Sequence, residues 1–211
     1  KGLGLMTTDA IWPTWIYSTV VKNHSEIYNK FLPYLNDETN FDKPWSQGSC
    51  SSTIRNSNND SMPWKVWFDS VTPCIEEHLG SLEPTMPFIM RSDEFWVNLY
   101  NKGDFQEAHE HAFPGRSISA IYVMESDEDI QGGDLVFECP NFNVVKFSGL
   151  NRLFNKWQYQ HVMPKLTPGT LILFPSWVTH YVLPLQSDKR RITIAANFSI
   201  EEATSDDTAN W

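Results

Sequence analysis

The sequence predicts a mainly β fold, a sandwich or barrel of short strands with a helical layer packed outside it. Three observations carry this reading. From residue 88 the chain falls into short runs rich in β-branched and aromatic residues. Turn signals such as "NKGD", "QGGD", "TPGT" and "QSDK" separate several of these runs. Ahead of them, two stretches place their apolar residues at helical spacing instead.

Taken in order, "AIWPTWIYSTVV" (10–21) reads as an early strand interrupted by Pro13. "SEIYNKFLPYL" (25–35) reads as a helix with Ser25 as its N-cap and with Ile27, Phe31, Leu32 and Leu35 on one face. Residues 40–60, rich in Ser, Asn and Asp, read as a loop. Residues 61–80 form a second expected helix, with Pro63 near its start, Gly80 just past its end, and a stripe of Trp64, Trp67, Phe68, Val71 and Ile75. Pro73 is expected to kink it. Strands follow at 94–100, 117–125, 134–139, 157–163, 170–174, 179–185 and 191–198. Short strands at this spacing indicate a sandwich or barrel. The segment 140–156 is long for a connection, and long loops in compact domains often carry binding, so it is read as a candidate substrate lid.

The chain has 211 residues, enough for one domain with its own core: a strand and helical layer over 10–87, a β core over 88–200, and an acidic tail over 201–211. Nine Trp, thirteen Phe and seven Tyr can bury large areas, which argues against disorder. A formal charge of −10 argues against a general nucleic-acid binder. Cys50, Cys74 and Cys139 are odd in number and widely spaced, which argues against a disulfide framework or a thiolate zinc site and points to a reducing cytoplasm. No apolar run is long enough to span a membrane, and "KGLGLM" lacks the apolar stretch of a signal peptide. Met6 is a candidate start residue.

The stretch "HEH" at 109–111 raises the question of a metal. In a strand, residues i and i+2 share a face, so His109 and His111 project together while Glu110 points away. Two imidazoles so placed suit one transition metal; the plainer reading is two surface histidines at a strand end. His180 follows "LILFPSW" and enters the next strand. In "RITIAANF", Arg191, Thr193, Ala195 and Asn197 share one face, and Ile192, Ile194, Ala196 and Phe198 share the other. The apolar face reads as packed outward. The polar face carries a guanidinium and a hydroxyl inward, beside His180. A buried arginine needs an anionic partner, and no carboxylate of its own strand lies on that face, so a bound dicarboxylate fits. Arg190 points the other way and is expected to be solvated.

In their order and spacing, "YNKGDFQEAHEH", "GGDLVF", "PGTLILFPSWVTH" and "RITIAANF" resemble the Fe(II)- and 2-oxoglutarate-dependent dioxygenases, in a branch related to the prolyl hydroxylases. The resemblance covers most of 10–200. It implies a double-stranded β-helix (jelly roll) core with the N-terminal helices outside. It also implies Fe(II) as metal, 2-oxoglutarate as cosubstrate and O2 as oxidant. The implied reaction is hydroxylation of a small-molecule or peptidyl substrate, giving succinate and CO2.

The usual ligand set of that family is His-x-Asp/Glu with a distal His, and here His111 stands at the acidic position. Two ligand sets follow: His109, His111 and His180, or two histidines completed by water or by an acid such as Glu107. The resemblance gives the distal carboxylate of 2-oxoglutarate to Arg191, with Thr193 helping. Tyr100 and Asn98 share a strand face and either reach into the same cavity or pack ordinarily. Asp134 reads as a turn residue and His161 as a non-ligand. Arg116 either holds an anionic substrate or is solvated, and Trp177 either lines the substrate mouth or packs.

Two alternatives stand beside this reading. A cupin-type metal-binding enzyme shares the spacing from Gly103 to His111, but its motif needs an acid soon after, where this chain has "AFPGRS". A non-catalytic β-sandwich binding module leaves Arg191 and the three histidines unexplained.

Overall fold

Chain order in the computed structural model, which describes residues 14–44, 49–127, 129–153 and 159–204, alternates early helices with a long run of strands. The elements are β1 (Tyr17–Val20), α1 (His24–Leu35), β2 (Ser51–Ser52), α2 (Trp64–Ser81), β3 (Phe88–Tyr100), β4 (Gln106–His109) and β5 (Ile118–Glu125). They continue with β6 (Leu135–Glu138), α3 (Phe142–Ser148), β7 (His161–Val162), β8 (Thr170–Pro175), β9 (His180–Val182) and β10 (Arg191–Glu202). Six strands form one sheet in the order β1-β8-β5-β10-β3-β2, and four form a second in the order β4-β9-β6-β7. From β3 onward the chain passes back and forth between the two sheets, the winding of a double-stranded β-helix.

Alternation along the larger sheet makes its two faces different. Ile192, Ile194, Ala196 and Phe198 of β10, Val97 and Leu99 of β3, and Leu171 and Leu173 of β8 share one buried cluster with Ile27, Phe31 and Leu35 of α1 and Trp64, Trp67, Val71 and Ile75 of α2. The helices therefore cover the outer face. Trp67 is fully buried and meets Tyr122 of β5 edge-on, with ring centroids 6.4 Å apart. The inner face sends Ile172 and Phe174 of β8 into a second cluster with Leu135 and Phe137 of β6 and Val182 of β9, which joins the two sheets. None of the described helices is long and apolar enough to cross a membrane.

Several boundaries differ from expectation for local reasons. The early strand is only Tyr17–Val20; Pro13 lies outside the described residues. Ser25 is not a cap: α1 starts one residue earlier, with Asn23 at the N-cap and no side-chain cap bond. Helix α2 carries Gly80 inside it, ends on Ser81 and contains Pro73. Residues 40–60 contain the short strand β2, which pairs with Leu99 and Asn98. Strand β3 begins at Phe88 because its front half pairs with the far end of β10, up to Glu202 opposite Phe88. Glu201 and Glu202 are thus strand residues rather than a free tail. Strand β9 is shorter than the expected 179–185; of the expected 157–163, residues 157 and 158 lie outside the described residues and β7 covers His161–Val162. The segment 140–156 includes a helix, α3, and none of its described residues lines the central cavity.

Candidate active site

Between the sheets lies a cavity of about 300 Å³, at the small end of ordinary ligand pockets. Its floor and one wall are the inner face of the β3/β10 pair. Register places Tyr100 beside Arg191, Asn98 beside Thr193, Trp96 beside Ala195 and Glu94 beside Asn197. The opposite wall is the β4/β9 pair, where His109 stands directly across from His180. A bulge between Gln106 and His109 sets that pairing.

The structure brings His109, His111 and His180 into one cluster, each offering a ring nitrogen within 4.8 Å of the others. Ring centroids are 4.3 Å apart for His109 and His180, 5.0 Å for His109 and His111, and 5.3 Å for His111 and His180. Burial lowers the pKa of all three; mutual repulsion adds to this for His111 and His180, which fall to about 3. Neutral imidazole is the form that binds metal. The Nδ1 atoms of His109 and His180 face the carbonyls of Glu107 (2.7 Å) and Val178 (2.9 Å). A proton on each Nδ1 leaves Nε2 for the cluster centre. This donor set fits a first-row divalent ion.

His111 reaches the cluster by a different route from the one the sequence suggests. Strand β4 stops at His109, so strand alternation does not extend to His111. Its main-chain N–H instead donates to the Ser176 carbonyl at 2.8 Å, just past the end of β8. Glu107 is exposed and contributes its carbonyl to His109, and the metal-binding cluster among the described residues contains histidines alone. His161 is exposed on β7, outside the cluster. Asp134 is exposed just before β6, its carbonyl accepting from Leu183 N–H at 3.0 Å.

Arg191, 2% exposed, lines the same cavity. Its Nη1 donates to the Gly133 carbonyl, and its guanidinium stacks over the Tyr100 ring, 4.2 Å from the centroid. Its Nε has no partner, and among the described residues no carboxylate forms an ion pair with it. The neighbouring Cys50 cannot supply the charge: burial pushes its thiol up to about 12, and its Sγ donates to Gln106 Oε1 at 3.1 Å. A buried cation left this way is costly unless an anion joins it. The "GG" turn is fitted to the guanidinium. Gly133 has φ +68°, and a Cβ there would lie 3.0 Å from Leu185 Cδ1 and 3.4 Å from Arg191 Nη1.

Arg190 is not solvated as expected. It donates from Nε and Nη2 to the Glu125 carboxylate at 2.8 and 3.0 Å, and from Nη1 to the Leu35 carbonyl at the end of α1. Arg116 pairs with Glu94 at 3.0 Å beside the cavity. Trp177 is half exposed and does not line the cavity.

Glu94, Trp96, Asn197 and Gly133 were not singled out from the sequence. Trp96 Nε1 and Asn98 Oδ1 are buried without partners, on the same cavity wall as Arg191 Nε. Such orphaned groups in one cavity point to a polar ligand. The alternation of β3 was the available signal for Trp96 and Glu94, which lie two and four residues before Asn98.

Residues 94–197 match the family model described as "Putative 2OG-Fe(II) oxygenase". Over this segment, just under half of the chain, the sequence is similar to that family. Fe(II) and 2-oxoglutarate are the cofactors of the 2OG-Fe(II) oxygenases, and the histidine cluster could hold the metal. A prolyl-4-hydroxylase from Pseudomonas putida is similar in structure, with TM-score 0.57 and 16% identity over 88% of this chain and 92% of that one. HygX from Streptomyces hygroscopicus, solved with nickel, 2-oxoglutarate and hygromycin B, gives TM-score 0.61 and 9% identity over 88% and 83%. A prolyl hydroxylase from Trichoplax adhaerens, in complex with a hypoxia-inducible-factor peptide fragment, gives 0.57 and 12% over 87% and 83%. At these identities the likeness is one of fold. No curated protein shows a significant sequence match.

Proposed function

We propose that this 2OG-Fe(II) oxygenase hydroxylates a small-molecule or peptidyl substrate, consuming O2 and 2-oxoglutarate and giving succinate and CO2. His109, His111 and His180 would hold the iron. Arg191, Thr193, Tyr100 and Asn98 would hold 2-oxoglutarate. One observation carries the reading: a neutral three-histidine cluster shares one cavity with a buried arginine that forms no ion pair with a carboxylate among the described residues.

Bound Fe(II) supplies oxygen activation, with 2-oxoglutarate as the source of two electrons; the balance is R–H + O2 + 2-oxoglutarate → R–OH + succinate + CO2. The chain's own part is placement. Arg191, itself buried, gives the distal carboxylate a charge-assisted bond worth roughly 1.5–3 kcal/mol. Tyr100 fixes the guanidinium plane from below by stacking. Thr193 is buried one rung further along β10, where its hydroxyl can reach the same carboxylate. Asn98 Oδ1 lacks a partner on that rung. The Trp96 N–H, next along and with its ring 6.0 Å from that of His111, is left for the substrate side.

The absence of an acid after His111 disfavours the cupin alternative, and the inward Arg191 disfavours an inert sandwich. Both a peptide fragment and hygromycin B are bound in the similar folds above, which supports either substrate class. Anaerobic addition of Fe(II) and then 2-oxoglutarate tests the reading. A weak visible charge-transfer band should appear only when both are present. A spectrum that 2-oxoglutarate leaves unchanged would rule out the chelate.

A further inference from the structure

Resting on the three-histidine reading, we propose that Asn197 is the positioning residue for His111. His109 and His180 each turn Nδ1 to a main-chain carbonyl two residues earlier in their own chain segment. His111 has no such arrangement. Its Nδ1 lies 3.4 Å from Asn197 Nδ2, a side chain of the facing sheet. Where an acid would bring its own charge to the ion, an imidazole must be aimed and kept in the right tautomer by its neighbours.

A closed ring of contacts does this. His111 N–H donates to the Ser176 carbonyl at 2.8 Å. Ser176 Oγ lies 3.0 Å from Ser119 Oγ, and Ser119 Oγ donates to Asn197 Oδ1 at 2.8 Å. Asn197 then returns to the His111 ring. Asn197 is 0% exposed, and both serines are buried. A buried amide is costly unless it is bonded, so its presence on a strand whose neighbouring inward residue is Ala195 calls for a polar purpose. A bulge between Asn197 and Phe198 in the β10/β3 pairing re-aims the strand at this point, as bulges beside active sites do.

The hydrogen bookkeeping works in both senses. A His111 that turns Nε2 to a metal carries its ring proton on Nδ1 and needs an oxygen there. A half-turn of the Asn197 amide supplies Oδ1 to His111 and Nδ2 to Ser119. The two serine hydroxyls can reverse their donor sense to follow. The half-turn takes Nδ2 away from Glu94, to which it donates at 3.4 Å, and leaves that carboxylate its ion pair with Arg116.

Calorimetric titration of Mn(II) into the metal-free protein, with thermal unfolding of each variant alongside, tests this. Asn197→Leu should weaken Mn(II) binding about 10- to 100-fold, the usual effect of losing a ligand's outer partner. Asn197→Asp, whose carboxylate accepts from Nδ1–H, should stay within a few-fold of wild type or bind tighter. A merely structural role would lower the melting temperature of both variants and leave their Mn(II) affinity alike. Should Asn197→Leu fail to fold, Ser119→Ala carries the test, with a several-fold loss expected. Wild-type Mn(II) affinity in folded Asn197→Leu, or in Ser119→Ala when the first variant does not fold, overturns the proposal. His111→Ala separates the two claims: if it binds Mn(II) like wild type, the three-histidine reading fails first.

Discussion

At the scale of single residues, Arg191 and the glycine that faces it set the 2-oxoglutarate end of the proposed site. Arg191→Ala removes the cation and leaves the histidine cluster alone. Truncating one partner of a buried charge pair costs several kcal/mol, so affinity for 2-oxoglutarate should fall by at least about two orders of magnitude. Calorimetry on the Mn(II)-loaded protein would show this loss with Mn(II) affinity unchanged; equal 2-oxoglutarate binding would remove Arg191 from the site. Gly133→Ala should act on the same bond indirectly. A side chain at φ +68°, crowded against Leu185 and Arg191, costs about 1–2 kcal/mol of stability and should weaken 2-oxoglutarate binding as well. Denaturant unfolding and the same titration would check both effects. The inward face of Arg191 and Thr193 was legible in the sequence because strand alternation has a period of two. Asn197 lies on that same face and was passed over, because its partners Ser119, Ser176 and His111 come from three other segments whose meeting depends on tertiary register.

At the scale of elements, the helical layer is fastened to the sheet by packing and by one polar clasp. Trp67→Ala would empty a fully buried site between α2 and β5 and should cost about 3–5 kcal/mol in urea unfolding. Arg190 ties Glu125 of β5 to the last carbonyl of α1, and Tyr28 of α1 donates to the same carboxylate at 2.9 Å. The pair is partly exposed, so Arg190→Ala should cost only about 1 kcal/mol, less in high salt, and leave 2-oxoglutarate binding intact. The layer also carries a pH dependence. Burial lowers the pKa of His24 and His78 below 6.5, so below that pH the unfolded chain binds more protons than the folded one. Stability from keeping them neutral is complete above 6.5 and is lost as pH falls through their lowered folded values. Urea midpoints should therefore drop as pH falls below 6.5, and His78→Phe should flatten the slope. The apolar stripes that predicted α1 and α2 were sufficient because long amphipathic periods are robust. Helix ends were not, since Ser25 and Gly80 obey the tertiary context over their own preferences. The front half of β3, with Arg91, Ser92 and Asp93, has no strand-like pattern of its own. It pairs because β10 runs alongside it to Glu202.

Across the whole molecule, the two sheets divide the work. The larger one takes the helices on its outer face and presents Arg191, Thr193, Trp96 and Asn197 inward; the smaller one brings His109 and His180 across from them. The fold was legible because strands and turns alternate regularly, and the three histidines because their chemistry is uncommon in combination. The path of His111 was not legible, since the loop after β4 is placed by Ser176 rather than by strand geometry. The central claim is that three imidazoles hold one ion in the same cavity where Arg191 receives 2-oxoglutarate. A crystal structure with Mn(II) and 2-oxoglutarate, the metal located by its anomalous signal, tests it most directly. The account predicts ring nitrogens of His109, His111 and His180 at about 2.0–2.3 Å from one ion, with the distal carboxylate on Arg191. Coordination by Glu107 or Glu110 with His111 turned away, or a 2-oxoglutarate that does not touch Arg191, would contradict it.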